Sequence, residues 1–271
     1  MSHRAETKIP SALDTAGAVA KVTFFEIMRD KVLYNVLICG IFLIVLGLLA
    51  SRLSYIRPER ILLDFGHSAI ALSCALIAIF LGSGLIGREF ERRTIHMALS
   101  RPVLRSHFVF GKFLGICAVI TANWLLFLVA YLGILFLMRA EWQVSPIHGA
   151  LFWSVVFALL QSFVLASLAI FFSTFSTTSL SVIFTVGTYL VGVNISRLHA
   201  VVSKLGTGGG LRSLDFAISL LPNLEHFDLG LHLTYGVPVS GASVLLAFAY
   251  AAAVCGVFLL LAGVLIRSKD V

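Results

Sequence analysis

Between Gly149 and Ser196 the chain carries no charged side chain. As one helix, at about 1.5 Å per residue, that stretch would be about twice as long as the hydrocarbon core of a bilayer is thick. It has to turn, and the polar run STFSTTS (173–179) offers the place. Apolar runs long enough to cross a bilayer recur along the rest of the sequence. The reading is six spans, at 32–50, 68–87, 108–138, 149–175, 178–196 and 240–266. The expected fold is therefore an all-α membrane protein. Composition agrees, with 59% hydrophobic and only 12% charged residues, about half the charge of a soluble domain.

Lys and Arg set the expected orientation. With both termini in the cytoplasm, thirteen of the 20 fall on inner segments: before Val32, from Arg88 to Lys112, and at Arg267 and Lys269. That bias, weakened by Arg52, Arg57 and Arg60 in the first outer loop, follows the positive-inside rule. It also accounts for the net charge of +7 without invoking nucleic acid. The location implied is the inner (plasma) membrane. No cleavable secretion signal is expected, because the first apolar run follows a long mixed-charge tail and lacks a small-residue cleavage site. Cys39, Cys74, Cys117 and Cys255 all lie within apolar runs, which implies neither a disulfide framework nor a zinc site.

The spans contain no Asp, Glu, Arg or His, and their one lysine is Lys112. Ion-coupled carriers usually need ionisable groups or broken helices at the membrane midplane. Work against a gradient would then be powered from outside the membrane. Two further segments are amphipathic. Residues 19–32 place Ala20, Phe24, Phe25, Ile27, Met28 and Val32 on one face, with Thr23, Glu26, Arg29 and Asp30 on the other. This reads as an interfacial helix on the inner surface. In the last outer loop Leu211, Leu214, Ala217, Ile218 and Leu221 share a face, and Pro222-Asn223 ends that helix.

The sharpest departure from this apolar background is REFERRTIHMALSRPVLRSH (88–107). Glu89 is placed to pair with Arg92 and Arg93 on a short helix, and Phe90, Thr94, Met97 and Ala98 follow helical spacing. Ser100-Arg101-Pro102 then breaks the helix and restarts the chain. A topology anchor needs only two or three basic residues. Two glutamates and a regular apolar stripe exceed that need and describe a surface for docking into a groove on another protein.

The stretch GREFERRTIHMALSRPVLRSHFVFGKFLG (87–115) resembles the first cytoplasmic loop of permease subunits of ABC-2 type ABC transporters. That family's pattern is E-x-E-x-(R/G)-T-(I/L), then L-S-R-P-V-x-R, then G-K-x-L-G. Glu89, Glu91, Arg93, Thr94 and Ile95 match the first part, and Leu99, Ser100, Arg101, Pro102, Val103 and Arg105 the second. Gly111, Lys112, Leu114 and Gly115 match the third. LLDFG (62–66) and LLPNLEHFDL (220–229) are weaker echoes. The family includes the permease of the nitrous-oxide-reductase maturation system, along with drug, peptide and lipid exporters.

The resemblance implies a cytoplasmic coupling helix between the second and third spans, seated in a cleft of a separate ATP-binding subunit. The residues implied to make that contact are Glu89, Phe90, Glu91, Arg92, Arg93, Thr94, Met97, Ser100, Arg101, Pro102 and Arg105. Two ATP-binding subunits and a second permease, identical or homologous, would complete the complex in the lipid. No G-x-x-x-x-G-K-[ST] occurs in the sequence, so ATP is expected on the partner and no cofactor on this chain. The implied layout is a cytoplasmic tail and interfacial helix at 1–31 and a six-span permease domain at 32–266. That domain contains the coupling loop at 88–107 and an outer loop at 197–239, and a tail follows at 267–271. The implied function is that of a permease, an exporter, working by alternating access. A membrane scaffold that recruits a cytoplasmic partner without transport, and a secondary carrier, are the alternatives.

Other candidates have plainer explanations. Asn123, Gln161, Thr185, Thr188 and Asn194 are candidate lining of a substrate path, although such residues commonly hydrogen-bond neighbouring helices at about 1 kcal/mol each. Gly82, Gly84, Gly87 and the pair Gly111-x-x-x-Gly115 are expected to allow close helix approach. Glu225, His226, Asp228 and His232 lie close in sequence, but no helical histidine pair or cysteine accompanies them, and a metal is not expected. No Ser/His/Asp or Cys/His arrangement points to catalysis.

Overall fold

The computed structural model describes residues 12–54, 58–91, 105–142, 149–205, 215–216, 218–229 and 239–268. The helices are α1 (Ala12–Met28), α2 (Lys31–Leu53), α3 (Pro58–Glu91), α4 (Arg105–Trp142), α5 (Gly149–Ser173), α6 (Thr178–Gly192), α7 (Ile195–Leu205) and α8 (Gly241–Ser268). A 3-10 turn, Glu225–Phe227, precedes α8. Among the described residues, five helices are long and apolar enough to cross a membrane: α2, α3, α4, α5 and α8. The pair α6 and α7, bent by 71° at their junction, makes a sixth if taken as one broken span.

Local chemistry explains where the helices begin and end. Asp30 is extended at the start of α2 and its carboxylate accepts from the Val32 N–H at 3.0 Å, an N-cap that separates α1 from α2. Pro58 opens α3, where a missing N–H is harmless. The STFSTTS run turns the chain between α5 and α6 as expected. Ser173, Thr174 and Ser176 donate their hydroxyls to the carbonyls of Ile170, Phe171 and Phe172 at 2.6–2.7 Å. Those carbonyls belong to the last turn of α5, where helical partners run out.

The structure departs from the sequence reading in three places. The second span was expected at 68–87, but α3 starts ten residues earlier and carries Arg60, Asp64 and His67 in its opening turns. The fifth was expected to run unbroken through 178–196, whereas α6 stops at Gly192. The interfacial helix buries a different face. Thr23 is 1% exposed and Phe25 57% exposed. Hydropathy puts Thr23 on the polar side, but its small side chain fits against Gly115, and steric fit decides the face.

The bundle is built around α3 and α5. Ala69, Ile70, Cys74, Ile77 and Ala78 of α3 and Val164–Ile170 of α5 are fully enclosed, and α3 packs against α2, α4, α5 and α6. The α3–α4 contact is close enough that a Cβ on Gly66 would overlap the ring of Tyr131. That ring is fully buried, and its hydroxyl donates to the Leu63 carbonyl at 3.1 Å. By contrast α2 and α8 sit at the periphery, with Ile38, Phe42, Leu49, Leu245, Leu260 and Val264 exposed. In a membrane protein such faces meet lipid or another subunit.

Candidate functional site

The near end of the bundle is where α3 closes at Glu91 and α4 opens at Arg105. Glu89, Phe90 and Glu91 lie on the last turn of α3, so the helix of the second span continues into the charged insert without a break. Arg105 is the first residue of α4. Arg92, Arg93, Thr94, Met97, Ser100, Arg101 and Pro102 lie outside the described residues. The two helices that flank the insert are tied together by Lys112. Its side chain is 3% exposed, its Nζ donates to the Leu85 carbonyl on α3 at 3.0 Å, and it lies 5.3 Å from the ring centroid of Phe108. A buried ammonium is costly unless it is bonded, and a charge-assisted bond of this kind contributes about 1.5–3 kcal/mol.

Directly beside Lys112, α4 receives α1. A Cβ on Gly111 would stand 2.8 Å from the Val19 Cβ and 2.9 Å from the Ala16 carbonyl. One on Gly115 would stand 2.7 Å from the Thr23 Cβ and 2.9 Å from the Ala20 carbonyl. The paired glycines form a groove that lets the backbone of α1 touch α4, as small-xxx-small pairs do between membrane helices. Ala16, Thr23 and Ile27 line the buried stripe of α1, while Val22, Phe25 and Met28 face away. Hydropathy missed this partner, although the glycine spacing marked the groove. Across the same end, a Cβ on Gly87 would stand 2.6 Å from the Thr178 Oγ1, which brings α3 against the start of α6. At this end α3 is thus bonded to α4 through Lys112, and α4 is packed against α1.

The five candidate path residues fall on α4, α5, α6 and the α6–α7 break. Thr185 and Thr188 share the buried face of α6, and their hydroxyls donate to the Ser181 and Phe184 carbonyls of the same helix at 2.7 and 2.9 Å. Asn194 donates to the Leu190 carbonyl and accepts from Arg197 at the break. Asn123 is buried on α4 and reaches across to α3, with its amide 3.3 Å from the Ser73 Oγ and 3.5 Å from the Cys74 Sγ. Gln161 is half-buried on α5. Four of the five thus have protein partners, which is the ordinary use of polar groups inside a bundle.

At the far end, Glu225 accepts from the Ser196 N–H and His226 stacks edge-on with Tyr250 at 5.7 Å. Among the described residues no three of His, Cys, Asp and Glu come together as a metal site requires; His232 is outside them. A family described as "ABC-2 family transporter protein" matches residues 11–267, almost the whole chain. No curated protein matches it.

Proposed function

The chain belongs to the ABC-2 family of transporter proteins, and from that premise we propose that it is the permease half of an exporter whose motion is driven through residues 88–105. It is a multi-pass membrane permease of an ABC transporter that pairs with an ATP-binding subunit. In this reading two ATP-binding subunits grip the charged insert from the cytoplasm. A second permease, identical or homologous, completes the path. Both termini are cytoplasmic, and the protein sits in the inner membrane. ATP stays on the partner, and this chain carries no cofactor of its own.

The observation that supports the reading best is the junction at Lys112. A lever works only if its arms are fixed to the parts it moves, and Lys112 joins the two arms on either side of the insert. The Gly111–Gly115 groove adds α1 to the same rigid unit. Alternating access by rigid-body motion needs such a unit, because packed helices shift between discrete arrangements rather than deform.

The test is a double replacement, Glu89→Lys with Glu91→Lys, in the full complex. Membrane insertion stays intact, while the partner ATPase no longer co-purifies or loses its stimulation by the permease. Normal pull-down together with normal stimulation would sink the coupling assignment. Labelling of a Thr94→Cys variant by an impermeant reagent added outside intact cells would place the insert on the wrong side of the membrane.

A further inference from the structure

The break between α6 and α7 is closed by two consecutive residues from elsewhere in the chain. In an unbroken helix the Ser196 N–H would donate to the Gly192 carbonyl, four residues earlier. Here the two halves of that bond are separated and each has a substitute. The Leu224 N–H donates to the Gly192 carbonyl at 3.0 Å. The Glu225 carboxylate accepts from the Ser196 N–H, also at 3.0 Å. Helix ends leave such groups without partners, and a carboxylate suits the positive end of the helix that begins there. The same contact holds the Glu225 carboxyl below its usual range, through the hydrogen bonds from Ser196.

The substitutes are firmly anchored. Leu224 has no exposed surface. It lies so close to α6 that a Cβ on Gly192 would stand 2.9 Å from its Cδ1 and 3.0 Å from the Pro222 carbonyl, a contact only glycine permits. Asn223 shapes the turn by accepting from the Glu225 N–H at 3.0 Å. Its own N–H donates to the Tyr250 hydroxyl on α8 at 2.7 Å. The Phe227 ring meets Phe157 of α5 and Tyr250 edge-on or tilted, at 6.4 and 6.0 Å. The segment is thus held by α5 and α8 while it grips the α6–α7 corner.

The geometry points to a latch: residues 222–229 hold α6 and α7 apart by supplying both halves of the missing Ser196–Gly192 bond, and their withdrawal lets the two helices join into one. The groups at the corner are satisfied in two arrangements, docked on the segment or bonded to each other. Two discrete arrangements of the Ser196 N–H and the Gly192 carbonyl are what a switching element needs. The joined helix, 178–205, would be about 42 Å long against a hydrocarbon core of about 30 Å, so joining lifts α7 away from the bundle. Placing this switch in a transport cycle rests on the permease reading above; the switch itself does not.

Two measurements separate those claims. In the first, spin labels at Ile183→Cys and Ser203→Cys, on the full chain in lipid nanodiscs with the native cysteines replaced, report the α6–α7 distance. Adding Glu225→Ala and Tyr250→Phe creates a longer population near about 30 Å, the length of 20 helical residues. A distribution unchanged by both replacements overturns the latch. In the second, a Ser196→Cys, Glu225→Cys pair is oxidised in the complex with its ATP-binding partner. Coupled ATP turnover is lost and returns on reduction. Full turnover while crosslinked makes the segment a fixed strut and overturns the latch as a moving part. If the complex of the native chain with its ATP-binding partner shows no coupled turnover, the permease reading fails and the distance measurement still decides whether the segment controls the bend.

Discussion

Lys112 Nζ lies 3.0 Å from the carbonyl oxygen of Leu85 and donates a hydrogen bond to it across the α3–α4 interface. An ammonium enclosed at the end of a membrane span is a liability unless its protons are used, so the bond is both a stabilising contact and a constraint on helix position. Replacing Lys112 with Met keeps most of the stem and removes the donor. The expected loss is about 1–3 kcal/mol, read as a lower melting temperature of the detergent-solubilised chain. Stimulation of the partner ATPase should fall by more than this stability loss explains. An unchanged melting temperature would show that the bond contributes nothing.

The α1 groove makes a steric prediction. Gly115→Leu places a branched side chain where the Thr23 Cβ and the Ala20 carbonyl now sit, and α1 must lift from α4. A cysteine at Thr23, protected in the native chain because that residue is 1% exposed, should then react readily with a water-soluble maleimide. Continued protection in the Gly115→Leu background would mean that α1 is held by something other than the groove.

At the other end of α4, Gly66 and Tyr131 separate two effects. Tyr131→Phe removes only the hydroxyl bond to Leu63 and should lower stability by about 1 kcal/mol. Gly66→Ala forces a methyl group into the fully buried ring and should cost about 1–3 kcal/mol, the usual range for overpacking. The pair Gly66→Ala with Tyr131→Leu should recover part of that loss. A thermal-shift series on the four chains tests the order.

Glu225 gives a pH dependence whose sign follows from its environment. Its carboxyl is held below the ordinary value of 4.5, first by the hydrogen bonds from Ser196, with smaller contributions from Arg197 and His226. A depressed acid stabilises the docked corner above its free value, and that stability is lost as pH falls through the docked value. Amide exchange in the first turn of α7 should therefore quicken, relative to the intrinsic rate, as pH falls from neutral through the carboxylate range. In Glu225→Gln that pH dependence should flatten. Equal profiles for the two chains would remove Glu225 from the corner.

Several features were legible because they depend on burial in lipid as such. Apart from the start of α3, apolar length located the long helices within a few residues of their ends, and the uncharged 149–196 stretch had to turn where its hydroxyls could cap α5. The resemblance carried by residues 87–115 matched the family found for the chain. The early start of α3 was missed because Arg60, Asp64 and His67 interrupt the hydropathy there, although the helix tolerates them near its end.

Sequence alone determined that this chain is a bundle of membrane helices with one strongly charged insert, because the bilayer punishes unbonded backbone and unpaired charge wherever they occur. Which face of each helix meets protein was left to the tertiary structure. Lipid tails and leucine side chains are equally apolar, so hydropathy cannot tell a lipid-facing residue from a packed one, and shape decides instead. Gly111 and Gly115 marked a groove without naming α1 as its occupant, and the corner at Gly192, kept by Leu224 and Glu225, lay inside what hydropathy reads as one span. Those pairings join residues far apart in the chain, and only the folded bundle brings them within reach.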